Sequence, residues 1–150
     1  MLPAYTHTVK RKASSTAKFY FFDIGVRNAL IHLTSLPQHS DVFGQAFEHF
    51  IAMELRAYLS YQRIREPLTF WRSKHGDEVD FIIGHHLAIE VKSTDQVKDK
   101  HCKSLSRFAE EGLCKRYVIV SQDPTARKTQ QIETLHWQDF LKQLWSGAMT

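Results

Sequence analysis

Apolar residues recur along this chain with two different periods, and each change of period marks a new element. Phe43, Phe47, Phe50, Ile51, Leu55, Tyr58 and Leu59 stand at helical spacing, which predicts a helix over 43–62 with Asp41 as its cap. Segments 68–73, 78–83 and 87–92 read as strands, the last two by strict alternation. A second helix is expected over 98–111, stopped by Gly112, and 116–120 is a short apolar strand suited to burial. Ser121-Gln-Asp-Pro124 has turn chemistry; 130–136 is expected as an edge strand and 137–145 as a closing helix. Ahead of these, 9–15 is basic, 18–22 reads as an apolar strand, and Asp23 caps a short helix carrying Ile24, Ala29, Leu30, Ile31 and Leu33. The fold class this predicts is α/β, in the order helix, three strands, helix, strand (αβββαβ). Residues 1–40 form a lead-in and 41–150 one compact unit, with no internal repeat or low-complexity linker.

The two alternating strands carry the chemistry. Val79, Phe81 and Ile83 share one face of the first, and Leu87, Ile89 and Val91 one face of the second; Glu78, Asp80 and Ile82, with Ala88, Glu90 and Lys92, take the other faces. Gly84-His85-His86 is a hairpin connection. Pairing Ile83 with Leu87 would set Asp80 opposite Glu90 and Glu78 opposite Lys92. Directly opposed acids destabilise a sheet unless something lies between them, and a divalent cation bound by hard oxygen ligands fits that place. Lys92 is spaced to orient or deprotonate an attacking water, or to stabilise charge on a phosphate. The bland alternative is an amphipathic hairpin with a solvated charged face, on which Glu78 and Lys92 form a weak surface pair.

Composition narrows the setting. With 150 residues, 43% of them hydrophobic, the chain can bury a core without disulfides. It has no apolar run long enough to span a bilayer and no signal-peptide core, so a cytoplasmic location is expected. Cys102 and Cys114 fit no zinc motif and read as free thiols; the nine histidines are scattered, with His75 and His86 flanking the hairpin. A net charge of +4 permits nucleic-acid binding. Lys10, Arg11, Lys12 and Lys18 cluster near the N-terminus, and Lys100, Lys103 and Arg107 form a stripe on the second helix opposite Val97, His101, Leu105 and Phe108. Such a stripe is either a solvated face or a phosphate-contacting one.

The element order with Asp80 and Glu90-Val-Lys92 resembles the P-D-(D/E)-x-K nuclease superfamily, whose restriction-endonuclease-like core is a mixed central sheet flanked by helices. More narrowly, Lys18-Phe-Tyr-Phe-Phe-Asp-Ile-Gly25, Gly44-Gln-Ala-Phe-Glu48, Trp71-Arg72, Glu78-Val-Asp-Phe81 and Ile89-Glu-Val-Lys92 resemble the C-terminal domain of unknown function 4143 of prokaryotic AAA-type ATPases. The resemblance runs from about residue 8 to about residue 140. It implies Asp80 and Glu90 as ligands of Mg2+ or Mn2+, with Glu48 on the first core helix completing the shell. Glu54 is the rival to Glu48, or else a buried carboxylate satisfied by Arg72. Gln96 matches an auxiliary polar position or is an ordinary loop residue, Trp71 reads as a core or edge aromatic, and Arg72 would pair with a site acid or contact a phosphate. The implied partner ATPase is absent, for the chain holds no G-x-x-x-x-G-K-[S/T] loop. The expectation is an excised domain, a truncated frame or a stand-alone descendant. Two functions are open: a metal-dependent nuclease cutting DNA with Asp80, Glu90, Lys92 and Glu48, or a non-catalytic DNA-binding or regulatory module of an ATPase.

Overall fold

A computed structural model describes residues 1–13, 16–30, 32 and 35–149. Ser14 and Ser15 of the basic stretch, and Ile31 and Leu33 of the expected first helix, lie outside the described residues. The elements run α1 (Ile24–Leu30), α2 (Asp41–Tyr61), β1 (Leu68–Arg72), β2 (Glu78–Ile83), β3 (Leu87–Lys92), α3 (Asp99–Ala109), β4 (Arg116–Ser121), β5 (Arg127–Thr129), β6 (Ile132–His136) and α4 (Trp137–Trp145). They build an α/β fold around one mixed sheet ordered β1-β2-β3-β4-β6-β5. The first three strands form an antiparallel meander, β4 lies parallel to both β3 and β6, and β5 returns antiparallel on β6. This order contains the expected αβββαβ core and is compatible with a restriction-endonuclease-like arrangement. Among the described residues no helix is long and apolar enough to cross a membrane.

Each sheet face buries its own apolar set. Phe81, Ile83, Leu87 and Ile89 cluster with Phe47, Ile51, Leu55 and Leu59 of α2 and Phe140 and Leu144 of α4. On the opposite face Ile82, Ala88, Tyr117 and Ile119 cluster with Leu105 and Phe108 of α3. Phe108 is fully buried, with its ring 5.1 Å from Trp71 and 6.3 Å from Tyr117. Truncating such a ring to Ala costs about 3–5 kcal/mol, so this contact anchors α3 to the sheet.

Four details depart from the sequence reading. Ser40, not Asp41, caps α2: its hydroxyl accepts the Phe43 N–H at 3.1 Å, while Asp41 sits in the first turn. Segment 18–22 is not a strand; Lys18 alone makes an antiparallel bridge to Leu2. β6 is an inner strand, because the polar Arg127–Thr129, which has no apolar pattern to reveal it, pairs along its outer side. Val79 packs with α3 rather than beside Phe81 and Ile83. The register explains this last change: Thr69 faces Ile82 but Trp71 faces Val79, so Asp80 and Phe81 together oppose Phe70. The bulge adds one residue to β2 and turns everything before it to the other face.

Candidate active site

The same bulge delivers Asp80. Ile83 does pair with Leu87, as expected, but backbone pairing of β2 with β3 extends only through Phe81–Ile89. Beyond that point the Asp80 side chain substitutes for the ladder, its Oδ2 accepting the Val91 N–H at 2.8 Å. Asp80 and Glu90 are both buried, at 7% and 4% exposure. Glu90 Oε1 accepts from Lys92 Nζ at 2.5 Å, whereas its Oε2 has no hydrogen-bond partner. A buried oxygen left unpaired is costly, and such atoms concentrate where a ligand or ion completes the shell.

Burial, reinforced by the neighbouring Glu48 charge, lifts the Asp80 carboxyl above its ordinary range despite Lys18 and Lys92. Burial and the Asp80 charge do the same to Glu90. Like charges in one dry site cannot both ionise cheaply. Lys92 shows the complement: burial opposes its charge, but Glu90 and Asp80 outweigh it and hold its pKa above the usual lysine value.

Glu48 reaches the site from α2. At Gly44 an added Cβ would lie 3.2 Å from Ser93 Oγ, so the helix passes close to the end of β3 there, and Glu48 follows one turn later. Its Oε1 accepts from the Tyr20 hydroxyl and lies 3.4 Å from Lys18 Nζ. Lys18 Nζ also pairs with Glu78 Oε1 and stands 3.6 Å from Asp80 Oδ1. Glu78 is further held by Arg72 at 2.7 Å, not by Lys92. Among the described residues no group of three or more His, Cys, Asp or Glu side chains is gathered in a metal-binding cluster. What the fold brings together is Asp80 and Glu90 with Lys92, while Glu48 is engaged by Tyr20 and Lys18. The donor set still suits a hard cation: two buried carboxylates, one with an unpaired oxygen.

The remaining predicted residues divide. Glu54 lies away from the site, accepting from Trp145 Nε1 at 3.1 Å. Trp71 is fully buried core. Gln96 is exposed in a turn where its N–H donates to Thr94 Oγ1. Lys100 and Lys103 are exposed on α3, and Arg107 is paired with Asp77 at 2.5 Å. Lys10 and Arg11 do not join them: the N–H groups of Val9, Lys10 and Arg11 all donate to Glu111, and Arg11 pairs with Glu110, tying this basic stretch to the C-terminal end of α3. His85 and His86 occupy the hairpin turn, as expected. His49 on α2 is buried and hydrogen-bonded to the Phe21 carbonyl at 2.8 Å, because the segment before α1 covers it. Cys102 and Cys114 are free thiols.

The sequence reading missed Lys18 and Tyr20 as site residues. Their signal was the i, i+2 spacing of an ammonium and a hydroxyl in an otherwise apolar stretch, which turns both to one side of an extended chain. Asp77 and Asp123, each buried and paired with an arginine, were missed as well.

Residues 43–140 match the model of a family described as a domain of unknown function, DUF4143. No curated protein and no solved structure matches the chain. The matched stretch takes in Glu48, Asp80, Glu90 and Lys92 and leaves out Lys18 and Tyr20.

Proposed function

The chain belongs to the DUF4143 family, and on that premise we propose that it is a metal-dependent nuclease domain hydrolysing DNA phosphodiesters, acting with an AAA-type ATPase module in the cytoplasm. One observation carries the reading: Asp80 and Glu90 are buried together beside Lys92, with a Glu90 oxygen unpaired. Asp80 and Glu90 would hold Mg2+ or Mn2+, which supplies Lewis acidity at a phosphoryl oxygen and lowers the pKa of a bound water. Lys92, beside Glu90, orients or helps to deprotonate the attacking water, or stabilises negative charge building on the phosphoryl oxygens. Glu48, oriented by the Tyr20 hydroxyl, acts from the α2 side, directly or through a water. Lys100 and Lys103 offer phosphate contacts that position DNA without reading its sequence, joined by Gln96 in the loop after β3, by Arg72, which pairs with Glu78, and by the guanidinium donors of Arg107 that Asp77 does not use.

A second reading draws on a different observation. Lys18 already neutralises acids of the cluster, as a nuclease-like module that binds DNA or regulates an ATPase without cleaving would allow. Cleavage of single-stranded, duplex and branched DNA with Mg2+ or Mn2+ separates the two. For the nuclease, Asp80→Ala and Lys92→Ala each lower the rate by about 100-fold or more. Absence of cleavage, together with DNA binding that persists in EDTA, would decide for the second reading.

A further inference from the structure

The ammonium of Lys18 is surrounded by three carboxylates from two elements: Glu48 on α2, and Glu78 and Asp80 on β2. Its N–H groups donate to Glu48 and Glu78, and Asp80 Oδ1 stands at ion-pair distance, 3.6 Å away. The placement is built into the fold. Lys18 exchanges both backbone hydrogen bonds with Leu2, at 2.9 and 2.7 Å, and Leu2 is buried in the core at 5% exposure. The Lys18 side chain is itself only 18% exposed, with Nζ 5.2 Å from the centre of the Phe70 ring. Phe70 is the residue that the bulge in β2 faces, so the segment carrying Lys18 is docked on the same irregularity that presents Asp80.

We infer that Lys18 is an internal competitor for the divalent cation, holding Asp80 and Glu48 through its ammonium and giving way when the cation binds. This rests on the metal-site reading above. An ammonium within ion-pair distance of Asp80 and a cation bound by that carboxylate repel each other, and both draw on the same oxygens. Loading therefore draws Lys18 off Asp80 and Glu48, leaving it paired with Glu78 alone, and makes Glu48 available. The concentration of divalent cation at which the site fills is set by a residue outside the family-matched stretch.

Mn2+ binding to the full chain, followed by the electron paramagnetic resonance signal of free Mn2+, tests this on wild type, Lys18→Gln, Lys18→Arg and Asp80→Asn. We expect Lys18→Gln to bind Mn2+ about tenfold tighter and Lys18→Arg, which keeps the charge, to stay near wild type. Equal or weaker binding by Lys18→Gln overturns the inference. A second measurement needs no variant: acetylation of Lys18 in the wild-type protein, read by peptide mass spectrometry, rises when Mg2+ is added, and an unchanged yield overturns the inference. If wild type and Lys18→Gln bind equally and Asp80→Asn not at all, the metal site stands and only the role of Lys18 falls. If none of the four binds Mn2+, the metal-site reading falls and takes this inference with it.

Discussion

Two buried acidic centres lie at the ends of neighbouring strands and are treated in opposite ways. Just past β4, Asp123 accepts the Val97 and Thr125 N–H groups, each at 2.9 Å, and pairs with Arg127 at 2.9 Å. Burial alone would raise its pKa, but these hydrogen bonds and the guanidinium outweigh it and hold the carboxyl below its ordinary range. On β2 and β3, Asp80 is buried beside the Glu48 charge and Glu90 beside that of Asp80, one Glu90 oxygen is unpaired, and both carboxyls are raised. A carboxylate whose lone pairs are all answered by the protein is a structural tie. One buried without full satisfaction costs stability, and a fold keeps it where something else completes it. The contrast separates a knot that fixes the loop into α3 from a pair left incompletely satisfied, to which we assign the proposed cation.

The comparison can be broken most forcefully at Asp123. Asp123→Ala strips two backbone donors and Arg127 of their acceptor at a side chain only 6% exposed. It should cost about 3 kcal/mol in urea unfolding while leaving Mn2+ binding unchanged. A loss under about 1 kcal/mol would show that the knot is not structural. Next comes the ligand itself: Mg2+ at about ten times its dissociation constant should stabilise wild type by about 1.4 kcal/mol, and Asp80→Ala should remove that gain. Equal stabilisation of both proteins would place the cation elsewhere.

Glu90→Gln gives a smaller effect of opposite sign to that of Asp123→Ala. It removes a buried charge and should raise stability by about 1 kcal/mol at mildly alkaline pH while abolishing cation binding. The pH dependence follows from the direction of the shifts. A carboxyl whose folded pKa lies above its unfolded value contributes stability that is complete below the unfolded pKa and is lost as pH rises through the folded one. Wild type should therefore lose stability relative to Glu90→Gln as pH climbs from the acid side past neutrality, and parallel profiles would contradict the raised pKa. The smallest effect concerns α3: Lys100→Ala or Lys103→Ala should each reduce the slope of log affinity for DNA against log salt by about 1, and unchanged slopes would return this stripe to the solvated face.

Legibility differed between the scaffold and the site for physical reasons. α2, β3 and α4 bury continuous apolar faces, and β2 does so from Phe81 onward, so their periods are written into the chain, and α4 begins and ends where the pattern predicts. β5 has only Arg127, Lys128 and Thr129, and its existence depends on the neighbouring β6 backbone. Asp80, Glu90 and Lys92 stood out as candidates because carboxylates and an amine at strand spacing are unusual in so apolar a hairpin, whereas Glu48 on α2 became a candidate only through the family resemblance. The role of Lys18 was not, since a lysine in a basic, partly aromatic stretch looks the same whether it meets water or three acids.

By itself, the sequence determined which faces are apolar, hence the α/β class, the element order and the pairing of Ile83 with Leu87. Those properties follow from local periodicity and burial, which need no knowledge of distant residues. Only the tertiary structure decided the bulge that turns Val79 toward α3, the burial of His49 beneath Phe21, the diversion of Glu54 to Trp145, and the meeting of Lys18 with Glu48, Glu78 and Asp80. Each of these depends on which segments the chain brings together across long separations, and a charge has no fixed meaning until its neighbours are in place.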